Sequence, residues 1–242
     1  MKILLVSDIH ANLPALQAVL DGAGFFSGLV CLGDTTGYGP DAASCLAELR
    51  NLEKTLEFSA ILSGNHDALL SGHLSSSWFN PHALRGVKDT ARTLDQDAKR
   101  WVSGLPSSKK IFPEVYASHG SPLEPLTGYL WGGIETAEVF KWMEAEKLTL
   151  CFCGHTHEAA VFSDYLPPGV LHPVPGRVVK ADGERKIVNP GSVGFPRSFN
   201  GLTEVPALES WPAYYALWDT ESQEVEFREA VYDRRGVESR MP

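Results

Sequence analysis

No stretch of apolar residues in this chain of 242 approaches the roughly 20 residues that a bilayer-spanning helix needs, so no membrane span is expected. Basic charge is also scarce. Lys and Arg number 21 against 30 Asp and Glu, leaving a net charge of −9. With no basic stripe for a phosphate backbone to follow, extended nucleic-acid binding is not expected. Any phosphate bound here would draw its countercharge mainly from bound metal. Cysteine is thin: Cys31, Cys45, Cys151 and Cys153 have no zinc-site spacing. Three of them sit in or beside apolar runs, which makes them small buried hydrophobes and not disulfide partners. There is no internal repeat, low-complexity tract or linker, so a single domain over 1–242 is expected, large enough to bury a core without covalent staples. The start, Met1-Lys-Ile-Leu-Leu-Val-Ser-Asp8, has neither the apolar core nor the small-residue cleavage site of a signal peptide. A cytoplasmic location is the expectation.

What the chain does contain is a set of short polar clusters, each placed just after an apolar run of strand length. Gly154-His155-Thr156-His157 follows Leu148 to Cys153. Asp8-Ile-His10 follows Lys2 to Ser7, Gly33-Asp34 follows Leu29 to Leu32, and Gly64-Asn65-His66-Asp67 follows Phe58 to Leu62. Ser118-His119-Gly120 closes an extended stretch read as one strand from Ile111. Two histidines one residue apart at a strand's end can turn toward one cation without a helix to align them. Together the clusters offer only oxygen and nitrogen donors, which suit a hard or borderline divalent ion better than a thiolate zinc site.

Between the clusters lie helices. Asn12 to Leu20 carries Leu13, Leu16, Val19 and Leu20 on one stripe, with Asn12 as N-cap and Pro14 in the first turn. Asp41 to Asn51 and Glu135 to Glu146 are also predicted helices, and Ala68 to Gly104 is mixed helical text, firmest over Ala83 to Arg100. Strand, helix, strand at the N-terminus implies a right-handed parallel crossover. After His157 the segments Ala159–Phe162, Lys186–Val188, Ala213–Trp218 and Glu224–Arg228 read as antiparallel strands. Helices outside two packed sheets is the arrangement this order supports best.

The run D-x-H, G-D, G-N-H-D, H, G-H-x-H resembles the calcineurin-like metallophosphoesterase superfamily. Val30-Cys-Leu-Gly-Asp-Thr-Thr-Gly-Tyr-Gly-Pro40 and Asn189-Pro-Gly-Ser-Val-Gly194 look like its small bacterial and archaeal phosphodiesterase branch. The resemblance implies an α/β fold, a four-layer αββα sandwich of two mixed sheets, with two divalent metals at the strands' carboxyl ends. It implies that Asp8, His10, Asp34 and His157 hold one metal, and that Asp34, Asn65, His119 and His155 hold the other. Asp34 would bridge them, and His66 would be the general acid. The implied reaction is hydrolysis by a hydroxide shared between the metals. The residues agree with it: two ions roughly 3.5–4 Å apart activate a shared water and clamp an in-line displacement. The glycine before Asp34 leaves the approach to a bridging carboxylate open, and the neutral Asn65 oxygen avoids adding negative charge where an anionic ester sits. Manganese, iron, nickel and zinc all fit such donors.

Relatives that act as protein phosphatases or symmetrical dinucleoside tetraphosphatases carry G-D-x-x-D-R-G after the second strand. This chain has Gly37 where the aspartate that orients the catalytic histidine would stand, and Tyr38 where the phosphate-gripping arginine would stand. A dianionic monoester gains most from a bidentate arginine, so the departure favours monoanionic diesters, small or nucleotide-like, as the substrate. A phosphomonoesterase, a protein phosphatase or a dinucleoside polyphosphate hydrolase of the same fold is the nearest alternative. A non-catalytic scaffold of that fold is the alternative from another class, disfavoured by the intact ligand set. Arg197 and Tyr38 are the candidate substrate-binding residues, Arg197 being either a phosphate contact or a plain surface arginine. Asp67 reads as the cap of the following helix more than as a catalytic group, Tyr129 and Trp131 as packing for their loop or as the lining of a substrate mouth, and His73, His82 and His172 as ordinary surface or helix residues. Segment 198–212 looks longer and more apolar than in the related branch, as a flap or a contact surface. Nothing in the sequence sets the oligomeric state.

Overall fold

The computed structural model describes residues 1–164, 169–197 and 210–240. The N-terminal half runs β1 (Lys2–Val6), α1 (Leu13–Ala23), β2 (Gly28–Cys31), α2 (Ala42–Thr55) and β3 (Phe58–Ile61). It continues through α3 (Asn65–Leu70), α4 (Pro81–Thr93), α5 (Gln96–Ser103), β4 (Ser108–Phe112) and β5 (Val115–Ser118). Then come α6 (Ile134–Ala145), β6 (Leu150–Phe152), β7 (Ala159–Ser163), β8 (Gly169–Leu171) and β9 (Val178–Lys180). The chain closes with β10 (Lys186–Pro190), β11 (Ser210–Asp219), β12 (Glu224–Asp233) and α7 (Arg235–Glu238). Among the described residues no helix is long and apolar enough to cross a membrane.

Among the described residues the strands form two mixed sheets of six, in the orders β3-β2-β1-β11-β12-β9 and β4-β5-β6-β10-β7-β8. Alternation along single strands shows how they stack. On β1, Leu4 and Val6 face one way, into a cluster with Leu16 and Val19 of α1 and Leu49 of α2. Ile3 and Leu5 face the other, against Leu150 and Phe152 of β6 and Trp218 of β11. Cys151 of β6, and Cys153 just past its end, turn to Val139, Phe140 and Met143 of α6. The result is helix, sheet, sheet, helix. Strands buried on both faces read as continuous apolar runs, which is why the sequence shows no polar alternation there.

Parallel neighbours set the functional end. β1, β2 and β3 run together in one sheet, and β5, β6 and β10 in the other, so five of the polar clusters emerge along one edge of the sandwich. Asn12 pins that edge. Its side chain caps α1 at Ala15 N–H (3.2 Å) and donates to Gly194 O (3.0 Å) and to the Tyr232 hydroxyl (2.7 Å).

Three local expectations are corrected. The stretch Ile111 to Ser118 is not one strand. Pro113 cannot donate to a ladder, and the chain turns there so that β4 and β5 pair antiparallel. The helix expected over Ala83 to Arg100 is broken at Leu94, and Asp95 caps a new one by accepting from Ala98 N–H at 2.7 Å. β10, expected as antiparallel, pairs antiparallel with β7 on one side and parallel with β6 on the other, while β8 and β9 were not foreseen at all. The apolar insertion 198–212 lies outside the described residues up to 209; its last three residues open β11.

Leu5 has no solvent exposure and sits between the sheets. Leu5→Ala should therefore lower stability by roughly 2–5 kcal/mol, read from the denaturant midpoint at unchanged m-value. A loss under about 1 kcal/mol would mean that the layer between the sheets is not close-packed.

Candidate metal centre

The five clusters meet at one edge, and the backbone turns sharply as it leaves β1, β2 and β6. Asp8 (φ 53°), His10 (48°), Asp34 (51°), His155 (66°) and His157 (65°) all occupy the left-handed region. They are five of the eight non-glycine residues with positive φ among the described ones. Such a conformation is tolerated best by Asp, Asn and His, and it costs on the order of 1 kcal/mol or more each. Strain gathered at one edge marks a place where the direction of side chains matters more than local comfort.

The side chains form two groups that share a member. In the first, His157 Nε2 lies 3.3 Å from Asp8 Oδ1 and 3.0 Å from His10 Nε2. In the second, His119 Nε2 lies 3.0 Å from Asn65 Oδ1 and 3.1 Å from His155 Nδ1. Asp34 Oδ2 stands between them, 3.7 Å from His10 Nε2 and 3.6 Å from His119 Nε2. Every residue the sequence nominated as a ligand is thus brought to one spot, and each of the Asp8–His10–His157 and Asp34–His119–His155 triads is compact enough to hold a cation.

The donor chemistry fits a cation. His10 Nδ1–H donates to Thr36 O (3.2 Å), His119 Nδ1–H to Leu32 O (2.9 Å) and His157 Nδ1–H to Phe195 O (2.6 Å). A carbonyl can only accept, so these bonds place the proton of each neutral ring on Nδ1 and leave a lone pair on Nε2. The Nε2 lone pairs of His10 and His157 then face each other with no proton between them, beside the Asp8 Oδ1 oxygen, which is buried and has no hydrogen-bond partner among the described residues. A positive ion is what such a constellation lacks.

Charge follows the same logic. Burial works to raise the Asp8 carboxyl, but the adjoining His157, with His119 and His10 behind it, holds it well below the usual carboxylate range. Asp34 goes the other way, pushed well above that range by burial and by the nearby Asp67 and Asp8 carboxylates. Burial first, and then neighbouring imidazoles, keep His10 and His155 well below the ordinary value.

Asp67 does more than cap. It accepts from Gly64 N–H (3.1 Å), as a helix cap would, but also from Thr35 N–H (3.2 Å), Thr36 N–H (2.9 Å) and the Thr36 hydroxyl (2.7 Å). One buried carboxylate thereby ties the loop bearing Asp34 to the loop bearing Asn65 and His66. The two loops touch so closely that a Cβ at Gly64 would collide with the Asp34 carboxylate. His66 closes the pair with its backbone N–H donating to Asp34 Oδ1 at 2.8 Å. Its own ring is buried, its Nδ1 has no partner among the described residues, and burial followed by the neighbouring His157 and His119 imidazoles pushes its pKa down to about 3. Gly37 (φ 132°) explains the missing orienting aspartate: a Cβ there would lie 2.7 Å from both His66 Nδ1 and His10 Nδ1.

Above the ligands is a narrow cleft of about 80 Å³, walled by Tyr38, His66, Phe79, Tyr129 and Arg197 among others. Tyr38 is buried, stacks on Phe195 (4.5 Å between centroids) and on His82 (5.2 Å), and lies 4.8 Å from the His66 ring. Burial raises its phenol to about 12, so it stays neutral. Phe79 meets His66 edge-on at 5.3 Å, and the Tyr129 ring lies 4.0 Å from His155 with Trp131 stacked behind it. Tyr129, which the sequence left between loop packing and the lining of a substrate mouth, lines the cleft, and His82, read as an ordinary surface or helix residue, packs behind the wall on Tyr38. Phe79 and Phe195 were missed; the available signals were an aromatic pair just before the Asn80-Pro81 helix start, and a Phe-Pro-Arg run after Gly194. His73, beside Ser103, and His172, beside Ala159, stay apart from the cleft.

This fold and this constellation define a metallophosphoesterase. Residues 1–205 match the calcineurin-like phosphoesterase superfamily domain, and the chain belongs to that family. The family binds divalent metals and hydrolyses phosphoesters. A metallophosphoesterase from Sphaerobacter thermophilus is 33% identical and superposes with a TM-score of 0.81, over 99% of this chain and 92% of that one. A hypothetical protein from Pyrococcus horikoshii OT3, 21% identical over 99% of this chain and 91% of its own, shares the fold with a TM-score of 0.73. An uncharacterised protein of Methanocaldococcus jannaschii is 28% identical over 99% of this chain and 93% of its own length.

His10, His66, His119 and His155 all hold protons less readily than free imidazole. As pH falls through about 6.5 the unfolded chain takes up those protons while the folded one does not, so stability is full above that value and declines below it. Asp34 and Asp67, whose carboxyls burial pushes up, act in the opposite sense but are two groups against four. The melting temperature of metal-stripped protein should therefore fall by several degrees between about pH 7.5 and about pH 5.5, and added divalent metal should raise it at the higher pH. A melting temperature that rises on acidification would contradict this reading of the histidines.

Proposed function

We propose that the chain is a dinuclear-metal phosphodiesterase. The observation that carries this reading is the position of Asp34 Oδ2, which faces His10 of one group and His119 of the other at nearly equal distance. Asp8, His10, Asp34 and His157 would hold one divalent ion; Asp34, Asn65, His119 and His155 would hold the second. Manganese, iron, nickel or zinc suits an all-nitrogen and oxygen set. When bound, such ions supply neutralising charge and activate water.

The chain's own residues do the rest. Arg197 is the cation at the cleft wall and orients the anionic ester. Tyr38, Phe195 and Phe79 keep bulk water away from the reacting end. His66 is neutral in the free protein and gains a proton more readily once an anion is seated beside it; it then delivers that proton to the departing oxygen. Diesters are favoured because a neutral tyrosine stands where a second arginine would be needed for a dianion.

Two measurements test the reading. Under one metal, kcat/KM on an aryl diester should exceed that on the matching monoester, and a clear monoester preference would overturn the substrate class. His66→Gln should keep its metal content, measured by elemental analysis, while kcat falls by roughly 10²–10⁴-fold. That loss should shrink as the leaving group becomes more acidic; an equal loss on good and poor leaving groups removes the acid role.

A further inference from the structure

The cleft does not end at Arg197. His157 and Arg197 also form the mouth of a second, larger recess of about 330 Å³, whose walls include Ala159, Pro173, Val174, Pro175 and Tyr214. Its size is at the lower end of the roughly 300–1,000 Å³ of small-molecule sites. Those five walls are apolar surfaces or an aromatic ring, and Arg197 is the only lysine or arginine among the described residues that line it.

The wall is built, not incidental. Val174 is 69% exposed, a conspicuous position for a branched apolar side chain, yet it is fixed between two prolines whose φ is locked. The segment is fastened at both ends. His172 Nδ1–H donates to Ala159 O on β7 at 3.3 Å. On the other side Gly176 N–H donates to Phe227 O (2.7 Å), Phe227 N–H to Arg177 O (2.9 Å), and Arg177 N–H to Val174 O (3.0 Å). A rigid apolar lip at the margin of a charged cleft preorganises a surface for a ligand at little entropic cost.

Position tells which part of a ligand would reach it. His66, the proposed acid, lies with Phe79 and Asn80 on the wall of the first cleft, whereas the recess opens past His157 and Arg197. A diester anchored between them directs its leaving group to His66 and its retained substituent past Arg197. We infer that this recess is the specificity pocket for the retained ester substituent, and that it takes an uncharged planar ring of aryl or nucleobase size. A second phosphate is disfavoured, because Glu158 shares the wall and Arg197 is already engaged with the first. The inference rests on the phosphoester-binding reading of the metal cleft.

Two non-hydrolysable probes separate the inference from that reading. With metal-loaded protein, calorimetry should show phenylphosphonate binding at least ten-fold more tightly than methylphosphonate. Val174→Trp, which fills the recess, and Val174→Asp, which puts a hydrated charge in the apolar wall where the ring would lie, should each bring that ratio toward one. The exposed position makes both variants compatible with folding, and an unchanged melting temperature confirms it. Equal affinities in the native protein, a ratio that neither variant alters, or no binding of either probe would overturn the pocket. If the ratio behaves as expected but no diester is hydrolysed, the pocket stands and the diesterase reading falls.

Discussion

A single carboxylate oxygen, Asp34 Oδ2, is where the two sheets have to agree. It is approached from one sheet by His10, past the end of β1, and from the other by His119, past the end of β5. Neither histidine can adjust much, because each ring is fixed by a bond from Nδ1–H to a backbone carbonyl. Asp34 cannot adjust either, since its other oxygen takes the His66 N–H and its loop is tied through Asp67. The distance between the groups is therefore set by how the layer of Ile3, Leu5, Leu150 and Phe152 packs between the sheets. Core packing and site geometry are one constraint.

The candidate ligands were legible because each lies within a few residues after an apolar strand, and parallel strands bring such positions to a common edge. The fold class followed from the same runs. What escaped was whatever depends on two distant segments meeting. Phe79, His82 and Phe195 carry no local mark of their place; Phe79 lines the cleft against His66, and His82 and Phe195 stack on Tyr38, only because α4 and the Gly194 loop meet there. Asp67 was legible as a cap, since Gly64 is its near neighbour, but its bonds to Thr35 and Thr36 span the gap between two strands. The turn at Pro113 was written in the sequence and was outweighed there by the apolar residues on either side.

The loop after β2 shows how one substitution of chemistry reshapes a site. With no side chain at Gly37, the His10 and His66 rings come within 4.8 Å of each other. Tyr38 fills the next position with a stacked, neutral ring. The cleft consequently has aromatic walls and little fixed charge apart from Arg197 and what the ligand groups hold. Selectivity in such a cleft comes from shape and stacking more than from counting ion pairs.

The four thiols have a consequence for how the protein lives with metals. All are buried in the core, and burial raises each one, Cys31 and Cys153 to about 12. A thiol so far from ionising neither oxidises readily nor captures a passing soft ion. Cys153 lies only two residues before His155, yet it faces α6 across the outer cluster and not the imidazoles. Copper, cadmium or an alkylating reagent therefore finds no sulfur foothold beside the centre, and competition among cations is decided by nitrogen and oxygen alone.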